Sequence, residues 1–153
     1  TQATAFSTAL LPAAGTYNKI DIIARAIQQV EASKEISPTF VVVHPTDWWG
    51  MRLIKDGFGR YILGDPQTTV RPTLFGRNIV VTTAITAGTF LLGNGDPAAA
   101  VIRDRMATTV DISTENEDDF IKNMVTIRVE KRLALVVRRP SSFITGTLIN
   151  SPA

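Results

Sequence analysis

One long segment of alternating residues limits the folds available to this chain more than any other feature. Across residues 124–139, apolar side chains occupy alternate positions with Lys131 as the only interruption, and the other face carries Thr126, Arg128, Glu130, Arg132 and Arg138. A period of two is typical of a β-strand with one apolar face and one polar face. The apolar set consists of Val125, Ile127, Val129, Leu133, Leu135 and Val137.

A strand of this length exceeds what one small core can cover. It would span roughly 50 Å at about 3.3 Å per residue, whereas the usual strand has about five or six residues. We therefore predict an elongated β extension of two or three strands that leaves the core and bends near Lys131. Residues 108–112 are the predicted partner strand, and residues 115–119 form an acidic tip between the two.

The rest of the chain predicts a compact body with few helices. Apolar residues spaced by three and four across residues 18–30 predict an amphipathic helix. A second, shorter helix is predicted to begin with Thr46 or Asp47 as its cap and to end at residues 56–57. Glycines and prolines over residues 58–72 predict a turn-rich excursion, with Tyr61 and Ile62 in a short strand.

The predicted strands outnumber these helices. Residues 41–43 are a continuous β-branched run and predict a central strand covered on both faces. Strands do not alternate regularly with helices, which favours an α+β fold with a mixed sheet flanked by two helices over a doubly wound sheet. Further strands are predicted at residues 78–83, 89–92 and 143–148.

Composition argues against several kinds of chemistry. The chain has no cysteine, and His44 is its only histidine, so a thiolate metal site, a histidine cluster or a serine triad lacks its parts. The formal charge of +2 gives only a weak field toward nucleic acid. No apolar run approaches the roughly 20 residues of a membrane-spanning helix. We therefore predict a protein without metal, cofactor or membrane partner, and we expect His44 to be a satisfied histidine at a strand end.

Several segments in the same order resemble one protein family. They resemble the major capsid proteins of tailed bacteriophages with the Hong Kong phage fold, from about the first helix to the C-terminus. Several motifs together make this resemblance far more specific than any one alone. The segments are 44–49 (HPTDWW), 53–56 (LIKD), 59–62 (GRYI), 119–124 (DFIKNM), 130–135 (EKRLAL) and 139–143 (RPSSF).

The resemblance implies a division into two domains. Residues 1–103 and 133–153 would form an axial domain that meets its neighbours around fivefold and sixfold axes, and residues 104–132 would form a peripheral extension between capsomers. The family's N-terminal arm, hairpin loop and spine helix have no room before Thr1, so the chain is expected to be a C-terminal fragment. Without those bridging elements, the fragment is expected to be monomeric or weakly associated.

The resemblance also implies a structural function and not an enzyme. Its expected partners are copies of itself in pentamers and hexamers, the portal, the scaffold or protease functions of the phage, and packaged DNA only through non-specific contacts. The expected location is the virion capsid, assembled in the cytoplasm of the bacterial host. An encapsulin-like shell of a cellular nanocompartment is the closest alternative. A soluble α+β enzyme is a more distant one, and it would need a pocket with converging titratable groups.

Two residues lie where crosslinking members of the family carry reactive groups. In those members a lysine amine attacks an asparagine carboxamide of another subunit while a glutamate assists, and Asn123 and Glu130 match these positions. On one straight strand the two residues would lie on opposite faces, more than about 20 Å apart, so different subunits would have to contribute them. The alternative, which we favour, is that Asn123 caps a turn and Glu130 pairs with Arg128 or Arg132.

Charged residues of the extension are the predicted interface. Glu117, Asp118 and Asp119 form a solvated acidic cluster, and Arg128 and Arg132 contribute to a basic face. The basic face could meet phosphates or the acidic cluster of a neighbouring subunit. We favour the protein partner because no aromatic residue is interleaved with these arginines. On the second helix we expect Trp48 to pack in the core and Trp49 to lie nearer an interface, and residues 93–96 are expected to form a turn.

Overall fold

The computed structural model describes residues 3–12, 17–63 and 73–148, and it divides them into a compact body and a projecting two-stranded ribbon. The body contains two longer helices and two single 3-10 turns, at Thr8–Leu10 and Pro140–Ser142. The helices are α1 (Lys19–Ala32), α2 (Pro45–Arg52) and the short α3 (Asp119–Lys122). The strands are β1 (Thr4–Ala5), β2 (Phe40–Val43), β3 (Thr73–Leu74), β4 (Arg77–Val81), β5 (Thr89–Gly93), β6 (Ala100–Ser113), β7 (Thr126–Val137) and β8 (Ile144–Thr147).

The body sheet is mixed, as predicted, and β2 lies near its middle. The strand order is β1-β8-β5-β2-β4-β3. β2 pairs parallel with β4 and antiparallel with β5. Val41 and Val43 are fully buried, whereas Phe40 and Val42 on the opposite face are only half-buried, so the prediction that both faces are covered holds for one face alone.

Helix α1 forms where its apolar spacing predicts it. The Asn18 side chain accepts hydrogen bonds from the amides of Ile20 and Asp21, and the Asp21 carboxylate accepts one from the Asn18 amide at 2.8 Å. This reciprocal capping box satisfies amides that the first helical turn leaves without partners. The face that packs on the sheet carries Ile20, Ile22, Ile23, Ala26, Ile27 and Val30.

Helix α2 begins and ends earlier than the sequence predicted. Its cap is His44, whose Nδ1 accepts a hydrogen bond from the Thr46 amide at 3.3 Å, and Pro45 occupies the first helical position. Proline suits that position because its fixed φ is helical and the missing N–H would have no partner there. The helix ends at Arg52 and not at residues 56–57. Trp48 is buried, as expected.

Both longer helices share one core with the sheet. Trp48 and Met51 of α2 join the α1 face against Val41, Val43, Phe90, Leu92 and Ile144. Because these sheet residues all lie on one side, the opposite side remains more open, and Val80 there is 45% exposed. The predicted flanking helices therefore lie on the same side of the sheet.

A buried carboxylate joins three parts of this body. Asp47 accepts a hydrogen bond from Lys19 Nζ at 2.8 Å and one from the Gly88 amide at 2.6 Å. Burial acts to raise the pKa of Asp47, but the two hydrogen bonds and the positive charges of Lys19 and His44 outweigh burial and hold that pKa below its ordinary value. The start of α1, helix α2 and the turn before β5 are thereby fixed to one another.

Only part of the predicted turn-rich excursion lies among the described residues. Residues 64–72 are outside them, and within the described part Tyr61 forms a single bridge with Lys55 in place of the predicted short strand. The loop before it is ordered by Asp56, whose carboxylate accepts hydrogen bonds from the amides of Phe58 and Arg60. The hydrogen bond from the Arg60 amide lowers the pKa of Asp56 most, and bonds from the Phe58 amide and the Arg60 side chain add to it, so that together they outweigh the opposing effect of desolvation.

The ribbon confirms the long strand. β6 has 14 residues, β7 has 12, and the two pair antiparallel from Ala100 with Val137 to Ser113 with Thr126. The register shifts between Asp104 and Met106 and again between Met106 and Thr109, opposite Lys131. Such irregularities bend a strand and increase its twist, in agreement with the predicted bend.

Candidate assembly surfaces

The ribbon has one apolar face that no other described element covers. Directly paired residues of an antiparallel ladder point to the same side, so the apolar residues of β6 and β7 form one continuous surface, here called the apolar ribbon face. These side chains are 57–69% exposed, which is unusual for so many neighbouring aliphatic residues. The face consists of Ile102, Val110, Ile112, Ile127, Val129, Leu133 and Leu135.

An ion pair interrupts this face near its middle. Lys131 Nζ lies 3.3 Å from a carboxylate oxygen of Asp104. Asp104 pairs with Leu133, and Lys131 is two residues from Leu133 on the same strand, so both charged residues belong to the apolar face. The lysine that breaks the alternation in the sequence therefore has an oppositely charged neighbour within the chain.

The opposite face of the ribbon is charged. Arg128 reaches across to Asp111 at 2.8 Å, and both the Nε and one terminal nitrogen of Arg132 contact Glu130 at 3.1 and 3.0 Å. The bond to Asp111, with the charges of Asp111 and Glu130, raises the pKa of Arg128 above its ordinary value. The predicted pairing of Glu130 with Arg128 or Arg132 is confirmed for Arg132, along one strand and not across the sheet.

The ribbon tip differs from the predicted acidic cluster in one respect. Glu117 and Asp118 are exposed, and Asp118 pairs with Lys122 at 3.3 Å. Asp119 is buried, and its carboxylate accepts a hydrogen bond from the Thr126 hydroxyl, so the expectation of three solvated carboxylates is wrong for Asp119. A threonine at the start of β7 lies close enough to bind Asp119 because α3 turns the chain back onto the ribbon.

The structure does not bring Asn123 and Glu130 together within one chain. Asn123 ends α3 in the left-handed conformation at φ 53°, which asparagine tolerates better than most residues. Glu130 lies in the middle of β7 opposite Thr109. The segment from Thr126 to Glu130 alone spans about 13 Å in a strand. Asn123 thus caps a turn, as we favoured.

Several exposed aromatic and aliphatic side chains were not predicted from the sequence. Phe120 and Ile121 are almost fully exposed at the ribbon tip, and Phe58 is 88% exposed. Arg60 lies 5.6 Å from the Phe58 ring centroid, and Arg52 lies 5.4 Å from that of Trp49. Trp49 is exposed, and its position near an interface stays a prediction. The available signal was a glycine on each side of Phe58, which is typical of a loop and not of a core element.

The described residues contain no group of three or more histidine, cysteine, aspartate or glutamate residues that could hold a metal ion. None of the helices in this part of the chain is long and apolar enough to cross a membrane.

A cavity of about 640 Å³ lies where the ribbon leaves the body, and its lining is apolar apart from Asn94. Because no titratable side chain lines this cavity, it lacks the converging groups that a small-molecule enzyme needs. Its lining includes Phe40, Leu91, Ile102, Leu135 and Phe143.

The family match and the sequence relative both point to phage capsid proteins. Residues 1–148 match the profile of the phage capsid family. The major capsid protein of Enterobacteria phage HK97 is 46% identical over 145 residues, which is 95% of this chain and 37% of that relative. The chain therefore spans little more than a third of the length of this relative.

Solved structures share the fold at low sequence identity. A chain of Gordonia phage Cozz has a TM-score of 0.69 at 18% identity, covering 97% of this chain and 50% of its own length. A virus-like particle from Pyrococcus furiosus has a TM-score of 0.60 at 16% identity, covering 82% of this chain and 49% of the other. The α+β class and the capsid fold are thereby confirmed.

Proposed function

The chain belongs to the phage capsid family, and from this premise we propose that it works as part of a major capsid protein that self-assembles into the icosahedral head of a tailed phage or prophage. The apolar ribbon face is the observation that carries the proposal. An isolated two-stranded ribbon is only marginally stable in water, and this one exposes its aliphatic side chains. Such a surface supports a role in which neighbouring protein covers the ribbon.

The phage head is a better proposal than an encapsulin-like shell. The relative at 46% identity is a phage capsid protein, whereas the virus-like particle from Pyrococcus furiosus shares 16% identity and supports the fold alone. The segments that resemble phage capsid proteins, between residues 44 and 143, also lie within residues 1–148, which match the phage capsid family. An enzyme proposal has no support in the apolar lining of the cavity.

Body and ribbon correspond to two roles in this proposal. Residues 1–103 and 133–153 would contact neighbours around the fivefold and sixfold axes of pentamers and hexamers, and residues 104–132 would contact adjacent capsomers. The register shift at Asp104 and Met106 supports a border there, although the paired strands continue into the body as far as Ala100 and Val137. Copies of the same chain are therefore its main partners.

Charged groups of the ribbon are the proposed capsomer contacts. Glu117 and Asp118 are exposed at the tip, while Arg128 and Arg132 are exposed on the charged face. Among the described residues each of these groups has at most one ionic partner, and that partner is exposed. Such pairs contribute little to stability, so a neighbouring subunit can replace the partner at small cost. Asp119 is excluded from this set because it serves the fold of the tip.

Asn123 and Glu130 act structurally in this proposal. Asn123 supplies a left-handed turn, and Glu130 is held by Arg132. Crosslinking would require a lysine amine of another subunit to form a bond to the Asn123 carboxamide carbon with release of ammonia. It would also require Arg132 to leave Glu130 so that this carboxylate could accept the proton.

The remaining partners follow from the role of a capsid protein. The whole protein would meet the portal and the scaffold or protease functions of its phage, and assembly would take place in the cytoplasm of the bacterial host. Contact with packaged DNA would be non-specific, because Arg128 and Arg132 already have carboxylate neighbours and no aromatic residue lies between them for base stacking.

Electron microscopy of the whole capsid protein that contains this chain tests the proposal. Closed icosahedral shells are the expected result after expression in bacteria. Only dispersed particles of a folded protein, with or without the scaffold and protease proteins of the same phage, would contradict it.

Denaturing mass spectrometry of those shells tests the role of Asn123. We expect single chains without linkage. Linked chains that have lost one ammonia for each bond between them, and that disappear in Asn123→Gly but persist in Asn116→Gly, would show crosslinking. Glycine is chosen because it also adopts the left-handed conformation that Asn123 requires.

A further inference from the structure

Ion pairs along the ribbon leave a small set of charged side chains without partners. Among the described residues, Arg103, Arg105 and Arg138 form no ion pair, and neither do Glu115 and Glu117. All five of these side chains are exposed. The charged residues that do have a partner on the ribbon form the pairs Lys122 with Asp118, Arg128 with Asp111, Lys131 with Asp104 and Arg132 with Glu130.

These unpaired charges are separated by sign along the ribbon. The three arginines, here called the basic root, lie where the ribbon leaves the body: Arg103 is the fourth residue of β6, and Arg138 directly follows β7. Glu115 and Glu117, here called the acidic tip pair, lie beyond the far end of β6.

The two groups of one chain are too far apart to neutralise each other. The strand between residues 103 and 113 spans about 33 Å, whereas salt at physiological strength screens exposed charges beyond about 8 Å. An oppositely charged partner for either group must therefore come from outside this chain.

We propose that the basic root of one copy binds the acidic tip pair of a second copy, so that two ribbons lie antiparallel and side by side at the border between capsomers. Each root then meets the tip of the other ribbon, and two equal contacts form at once. Because both copies use the same surfaces, the contact closes after two subunits about a twofold axis. Parallel ribbons would place root against root and tip against tip, and like charges oppose that arrangement. This inference rests on the proposed shell and names the residues and the direction of one of its contacts.

The basic root suits the acidic tip pair better than Arg128 and Arg132 do. Those two arginines have carboxylates beside them on the same ribbon, at Asp111 and Glu130, which would repel a further carboxylate. The neighbour of Arg103 across the ladder is Ala134, which carries no charge. Phosphates are the other anions that arginines bind well, but the same chain supplies unpaired carboxylates at the opposite end of the ribbon. A second copy is therefore the better partner.

Charge-swap variants of the whole capsid protein that contains this chain test the contact. Arg103→Glu/Arg138→Glu and Glu115→Lys/Glu117→Lys should each lower the yield of closed shells by roughly tenfold or more, because like charges would then meet at every such border. The two double variants combined should restore at least half of the wild-type yield. Circular dichroism of the unassembled proteins checks that each variant folds, as expected for changes at exposed positions.

The matched control changes two other arginines of the same ribbon. Arg128→Glu/Arg132→Glu should not restore the yield of Glu115→Lys/Glu117→Lys, and restoration there in place of the basic root would overturn the inference. So would normal shells from each double variant of root and tip, or normal shells from the root variant that no longer retain nucleic acid, because phosphates would then be its partner. Wild-type protein that forms no shells would contradict the capsid function itself, and the contact with it.

Discussion

Replacement of Asp47 with alanine should lower the free energy of unfolding by roughly 3–5 kcal/mol, the usual effect of removing one partner of a buried ion pair. The Lys19 ammonium and the Gly88 amide would each lose their acceptor. Chemical denaturation followed by tryptophan fluorescence measures the change, because the buried Trp48 becomes exposed on unfolding. The matched control is Asp111→Ala, which also removes a carboxylate that lies 2.8 Å from a cation. The two carboxylates differ in burial: the Asp111 side chain is 59% exposed, and that of Asp47 is 5% exposed. The control should cost less than about 1 kcal/mol.

The same pair predicts how stability depends on pH. The pKa of Asp47 is lower in the folded chain than the ordinary aspartate value of 3.8. A carboxyl with a lowered pKa contributes its full stabilisation above the unfolded pKa, and that contribution is lost as the pH falls through the folded value. The stability difference between wild type and Asp47→Ala should therefore be largest near neutral pH and should narrow below about pH 4. A difference that does not change with pH would show that the Asp47 charge is unimportant.

Replacement of Phe90 with alanine should destabilise the body by roughly 3–5 kcal/mol, because the removed ring leaves a cavity among residues that cannot fully collapse into it. Phe90 is fully buried in β5, and its ring meets Phe6 edge to face at a centroid distance of 6.0 Å. This loss is a large part of the roughly 5–15 kcal/mol that holds a domain together. Thermal unfolding by circular dichroism should show a single transition at a lower temperature.

Phe58→Ala is the control for this prediction. Phe58 is the same residue type but lies on the surface, where its ring contacts Arg60. Loss of that contact should cost no more than about 1 kcal/mol. Equal destabilisation by both variants would mean that the loop held by Asp56 belongs to the folded core.

The contrast between body and ribbon explains why these effects are expected in the body. Phe90 packs among core residues of the sheet and both helices, and Asp47 binds groups of α1 and of the turn before β5, so removal of either side chain affects several elements. Along the ribbon each strand has one neighbouring strand among the described residues, and most side chains reach solvent on both faces. Substitutions there should change association more than the stability of the body.

The sequence by itself determined the strands and helices that can be predicted from the spacing of neighbouring residues. Alternation at Val125, Ile127 and Val129 predicted a long strand because successive side chains of a strand point to opposite sides, and no distant contact alters that geometry. Spacing of three and four predicted α1 for the same kind of reason. The motifs also identified the family, which the relative at 46% identity confirms.

Tertiary structure alone decided the features that depend on residues far apart in the chain. The burial of Asp47 needs Lys19 and Gly88, and the burial of Asp119 needs the turn of α3 that brings Thr126 to it. The cap of α2 is different, because it depends on a neighbour in sequence: Pro45 occupies the first helical position, so His44 is the cap in place of the predicted Thr46 or Asp47. The pairing of Lys131 with Asp104 required the register of β6 against β7, and register depends on the whole ladder and not on either strand alone.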